Sequence, residues 1–130
     1  MIKRFIQTVT TVFLFSSVAW AGVTSYQPVE IDIDNMSAKG NMVDARFTAN
    51  KFERIGCGLS TYVYSDGETS VQGWCQVSLS EGKNTICFTE VPDMLEMIKS
   101  IDDYSYISFR WDKSGDCSFI HISTQLQYIL

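Results

Sequence analysis

A chain of 130 residues with fifteen Asp and Glu against ten Lys and Arg carries a formal charge of −5. That balance disfavours a phosphate backbone or an anionic membrane surface as partner. Two prolines, no repeat and no low-complexity run leave no sign of a linker, so the length suits one small domain.

The first element is a leader. Lys3 and Arg4 precede the uncharged, mostly apolar stretch Phe5 to Val18, and Ala19-Trp20-Ala21 offers small residues where a signal peptidase reads. The stretch is short for a spanning helix, which needs ~20 apolar residues, and Gln7, Thr8, Thr10, Thr11, Ser16 and Ser17 interrupt it. Residues 1–21 are therefore expected to be a cleaved signal peptide, with no stable membrane insertion afterwards. Residues 22–130 are expected to form a single β-rich domain, periplasmic or extracellular. That mature chain holds eight basic and fifteen acidic side chains, a formal −7.

From there the hydrophobic period is mostly two, which predicts strands. Val29, Ile31 and Ile33 alternate with Glu30, Asp32 and Asp34. Asn35 to Asn41 is small and polar and reads as a loop. Val43, Ala45, Phe47 and Ala49 alternate with polar residues and predict a second strand. Phe52 to Tyr64, Thr69 to Leu79 and a run ending near Thr89 predict three more, joined by Ser65-Asp66-Gly67 and Ser80-Glu81-Gly82. Then Val91, Met94, Leu95, Met97, Ile98 and Ile101 recur at three and four residues, with Pro92 in the first turn. This predicts one short helix near 92–101, ended by Asp102-Asp103. Tyr104 to Asp112 and Cys117 to Gln125 predict the last two strands, around a Lys113-Ser114-Gly115 turn. The fold class expected is mainly β (α+β): an antiparallel meander or sandwich of six to seven strands, one helix and two disulfides.

Cys57, Cys75, Cys87 and Cys117 are separated by 17, 11 and 29 residues, so no pair has the close spacing of a zinc site. An even count in an exported domain predicts disulfides. If 65–67 is a three-residue loop, Cys57 faces Cys75; if 80–82 is another, Cys75 faces Cys87. Adjacent strands lie ~4.8 Å apart, within disulfide reach, whereas Cys57 and Cys87 would stand ~9.6 Å apart. Two connectivities remain: Cys57–Cys75 with Cys87–Cys117, which we favour, or Cys75–Cys87 with Cys57–Cys117. One face of the meander would carry Ile55, Cys57, Leu59, Val71, Cys75, Val77 and Leu79, the other Tyr62, Tyr64 and Trp74. Each is expected to be covered, one by the helix and the other by the remaining strands.

The runs Ala45-Arg46-Phe47-Thr48, Ile55-Gly56-Cys57, Gly73-Trp74-Cys75 and Ile86-Cys87-Phe88, with Ser105 to Asp112 and Gly115 to Ile120 after the helix, resemble a family of small exported bacterial four-cysteine proteins of unassigned function. The resemblance spans roughly Ala45 to Thr124. It implies a shared β-rich fold and a bacterial origin, and carries over no activity, cofactor or binding residue.

Chemistry is sparsely marked. His121 is the single histidine and would share a strand face with Cys117, Phe119 and Ser123. No Gly-x-Ser-x-Gly elbow accompanies it. Glu30, Asp32 and Asp34 would diverge from a flat strand face, unlike the converging oxygens calcium needs. Asp112 and Asp116 flank a turn and read as turn formers. Gly56-Cys57-Gly58 opens no helix, so it is not a phosphate loop. No metal ligands, cofactor or catalytic residues are expected. Tyr62, Tyr64 and Trp74 are the candidate binding residues: buried they are ordinary core, exposed they form a platform for a protein or glycan partner. The leading expectation is a non-enzymatic binding or interaction module. The rivals are an envelope hydrolase using His121 with a carboxylate, and an inhibitor or immunity-type protein neutralising a basic partner.

Overall fold

The alternating segments form seven antiparallel strands in two sheets, seen in a computed structural model that describes residues 25–125. The expected leader lies outside the described residues. In chain order the elements are β1 (Glu30–Asp32), β2 (Ser37–Asn41), α1 (Met42–Phe47), β3 (Arg54–Val63), β4 (Thr69–Ser80), β5 (Lys83–Thr89), α2 (Pro92–Lys99), β6 (Tyr106–Trp111) and β7 (Cys117–Ser123). One sheet has the order β1-β2-β6-β7; the other is the meander β3-β4-β5. No helix among the described residues is long and apolar enough to cross a membrane.

Two elements differ from expectation. The 35–41 segment is a tight turn followed by β2. The Asp32 carboxylate accepts from the backbone and side-chain nitrogens of Asn35, and Met36 takes a positive φ of 48°. The inward residues of β2, Ala38 and Gly40, are small, and at Gly40 the chain ahead of β1 crosses directly over the strand. A Cβ on Gly40 would lie 2.9 Å from the Val29 Cα. Crowding, and not flexibility, selected the composition that reads as a loop.

The expected strand over 43–49 is instead the helix α1. Asn41 is fully buried and its Oδ1 accepts from the Val43 and Asp44 amides, at 2.8 and 3.4 Å. That is an N-cap, and it commits the next residues to helix. Val43, Asp44 and Ala45 are then buried in succession, which no alternating strand allows. Asn41→Ala is expected to destabilise the fold by about 1–2 kcal/mol, measured by urea unfolding with an unchanged m-value.

The meander follows the expected registers. Cys57 pairs with Cys75 and Cys75 with Cys87. The first loop is 65–67, with Gly67 at φ 87°. The second closes tighter: Ser80 pairs with Lys83 around Glu81-Gly82, and a bulge at Leu79 restores the register. The favoured connectivity is the one formed. Cys57–Cys75 staples β3 to β4, and Cys87–Cys117 joins the two sheets. Such bonds persist in oxidising surroundings.

The core lies between the sheets. Ile107 and Phe109 of β6, Val77 and Cys75 of β4, Ile55 of β3 and Ile120 of β7 belong to one buried cluster. Helix α2 packs on the same side of the meander as the second sheet. A Cβ on Gly73 would stand 2.8 Å from Ile98 Cδ1 and 2.9 Å from Leu95 Cδ2. Helix and sheet thus share one face of the meander, contrary to the expectation of one cover for each. The even-numbered face is left open around Gly56, Gln76, Ile86 and Phe88, while Ser78 beside them is buried.

Candidate functional site: an aromatic sheet face

On β3, on β4 up to Gln76 and on β5 the even-numbered residues alternate with the core-facing ones and point away from them, while Ser78 is buried and Ser80 lies beyond the bulge. The central row is Gly58, Trp74 and Phe88, directly paired across the three strands. The Trp74 indole occupies the room that a side chain at position 58 would take: a Cβ there would come within 2.5 Å of Cζ2 and 2.9 Å of Cε2. Glycine at 58 is therefore what seats this ring against the sheet. The Cys57–Cys75 bond fastens the same two strands one residue away.

Of the two alternatives for these aromatics, core or exposed platform, the tyrosines take the exposed one. Tyr62 is 50% exposed and Tyr64 55%, while Trp74 is half-buried against Gly58. Ile86 and Phe88 on β5, which sequence reading did not single out, are 42% and 39% exposed on the same face. Their position opposite Gln76 and Trp74 was already implied by the Cys75–Cys87 register. Beyond the Gly73–Thr89 pair β5 stops, and β3 and β4 continue as a two-stranded arm whose residues from Thr61 to Thr69 are all exposed. Tyr62 and Tyr64 stand on that arm.

Two grooves lie at Gln72 and at Gln76, the β4 positions two residues before and after Trp74. One, of about 480 Å³, is lined by Gln72 and Phe88 with Glu90 and Asp116. The other, of about 400 Å³, is lined by Gln76 and Ile86 with Asn84 and Arg54. Asp116 reaches the first groove because the Phe88 amide donates to the Gly115 carbonyl, which draws the β6–β7 turn against β5. Asp112 is the turn former, its Oδ1 accepting from the Ser114 and Asp116 amides. Arg54 is the charged residue among the even-numbered positions of the three strands, and Lys83 is exposed at the start of β5.

The other candidates are placed elsewhere. His121 is exposed on the outer face of the four-stranded sheet, opposite Ser108, between the rings of Tyr106 and Phe119. Its contacts among the described residues are with those rings and with no carboxylate. It does not share a face with Cys117. A bulge between Cys117 and Phe119 turns the sulfur inward to Cys87 and leaves Phe119 and His121 outside. Glu30 pairs with Lys39 at 3.1 Å, raising the lysine's pKa. The side-chain and backbone donors of Asn35 hold the Asp32 carboxyl below its ordinary pKa. Among the described residues no three His, Cys, Asp or Glu side chains converge on a metal position. The remaining acids are distributed over turns and helix surfaces: Asp66 and Glu68 on the arm, Glu81 in the next turn, Asp93 and Glu96 on α2.

Among the described residues Asp44 is a buried carboxylate with one oxygen unpartnered. Its Oδ2 accepts from the Gln27 amide at 2.8 Å, and its Oδ1 has no partner among the described residues. With Glu53, which accepts from the Val29 amide, it anchors the segment leading into β1. No family model, curated protein or solved structure matches the chain.

Proposed function

We propose that the protein is a non-enzymatic binding or interaction module, exported by its leader to the periplasm or beyond, and that it works through the open face of the meander and its arm. The observation that carries this reading is the half-exposure of Tyr62, Tyr64, Ile86 and Phe88 on one face of a disulfide-stapled sheet. Exposed apolar side chains grouped in this way mark contact surfaces. A rigid aromatic platform loses little entropy on binding. The likeness to small exported four-cysteine proteins is part of the same proposal and agrees with the disulfides.

A hydrolase would need a base held by an acid, and among the described residues His121 neighbours the rings of Tyr106 and Phe119. An inhibitor of a basic partner would gather carboxylates at the centre of its contact face, whereas the row Gly58, Trp74 and Phe88 is uncharged and Asp66, Glu68, Glu90 and Asp116 stand at its margins.

The test is retention from envelope extract on the immobilised, oxidised mature protein. Tyr62→Ala is expected to lower retention of the bound species at least ~10-fold, as loss of an aromatic hot spot does, with an unchanged melting temperature. Equal retention by wild type, Tyr62→Ala and Phe88→Ala would refute the face as the contact surface. Turnover of an envelope substrate that disappears in His121→Ala would refute the non-enzymatic reading.

A further inference from the structure

We propose that the open face binds a neutral oligosaccharide lying along β4, with Trp74 under its middle and one groove at each end. The proposal rests on the reading of this face as a contact surface and names its ligand class.

The first argument is shape. Gln72, Trp74 and Gln76 alternate along β4, two residues apart, so the amides stand on either side of the ring and span ~13 Å. Gln72 lines the groove of about 480 Å³ and Gln76 the groove of about 400 Å³. Gln72 and Gln76 each reach one groove with the Trp74 ring between them on β4, an arrangement that suits a linear ligand of a few units better than a globular surface.

The second argument is charge. The Gln72 end carries the carboxylates of Glu90 and Asp116, and the Gln76 end carries the Arg54 cation. A polyanion is repelled at the first end and a polycation at the second. A ligand with no net charge is opposed at neither.

The third argument is chemical complementarity. A sugar ring has an apolar C–H face and a rim of hydroxyls, each both donor and acceptor. Trp74 and Phe88 offer apolar ring surface, the glutamines offer both donor and acceptor, and Glu90 and Asp116 accept from hydroxyls. Trp74 is already seated on Gly58, and the Cys57–Cys75 bond holds the two strands beneath it, so the platform is formed before the ligand arrives.

The experiment is a titration of ¹⁵N-labelled, oxidised mature protein with neutral linear oligosaccharides of glucose, N-acetylglucosamine, galactose and mannose. At least one series is expected to shift the Trp74 indole N–H and the Gln72 and Gln76 side-chain amides, with affinity rising with chain length until both grooves are occupied. Gln76→Ala, at an exposed position, is expected to weaken that binding several-fold, and Phe88→Ala about tenfold, each with native melting behaviour. Absence of shifts with every series up to ~10 mM, where even millimolar affinities register, would overturn the proposal. Envelope protein retained through Tyr62 and Phe88 alongside that silence would leave the contact surface standing and remove only the sugar. A charged peptide shifting the same three side chains while the sugars do not would have the same effect. Silence with sugars, peptides and extract alike would remove both readings.

Discussion

Replacing Cys87 and Cys117 together by alanine is expected to lower stability by about 3–4 kcal/mol, or ~15–25 °C in Tm for a domain of this size. This bond closes a separation of 30 residues and joins β5 of one sheet to β7 of the other. Beside it, among the described residues, β5 touches the β6–β7 turn through the bridge of Phe88 to Asp116, where the Phe88 amide donates to the Gly115 carbonyl. The Cys57–Cys75 bond spans 18 residues and connects strands already held by ten paired positions. Its removal is expected to cost less, because the hairpin loop it closes is shorter and hydrogen bonds hold the same strands together. Urea unfolding of the two double variants, compared at equal m-value, gives the order. A larger loss for Cys57→Ala/Cys75→Ala would show that the hairpin, and not the junction between the sheets, limits stability.

Phe109→Ala is expected to cost about 3–5 kcal/mol. Phe109 has no exposed surface and lies between Ala38 of β2 and Ile120 of β7 in the sheet, with its ring 5.9 Å from that of Trp111. Its neighbour Ala38 is too small to move into the space, so a cavity remains and its cost adds to the lost transfer energy. The measurement is again a chemical denaturation curve, with near-ultraviolet circular dichroism to follow the packing of Trp111. A loss below about 1 kcal/mol would mean that the interior is loosely filled.

The chain revealed its meander well. The strands β3 to β5 combine alternation with turn glycines that occupy positive φ, and the turns fixed the registers that bring Cys57 opposite Cys75. Helix α2 was legible because its apolar spacing is supported by Pro92 in its first turn. The failures have particular causes. Over six residues, Met42 to Phe47, periods of two and 3.6 cannot be told apart, and the deciding signal was the cap at Asn41. The smallness of Gly40 reflects the crossing of Pro28 and Val29 over it, a packing contact that hydrophobic alternation does not register. The bulge between Cys117 and Phe119 changed which residues share a face with His121, and alternation cannot register an extra residue. For the candidate site, the aromatic positions were visible but their exposure was not. Exposure depended on α2 and the four-stranded sheet choosing the same side of the meander, a decision of tertiary packing. The grooves beside Trp74 join residues from β3, β4, β5 and the β6–β7 turn, and no local pattern announces them.

The two bulges, at Leu79 and beside Ser118, each absorb one surplus residue without altering which sulfurs meet. Deleting either residue would flatten its strand and leave the flanking side chains on their present faces, because the parity of the pairing is the same with the bulge as without both bulge and residue. Inserting a residue elsewhere in these strands would turn everything beyond it over. Single-residue shortening is thus tolerated at two defined points, and these are the places where diverging sequences, or an engineer, can change the length of the sheets while keeping the covalent framework.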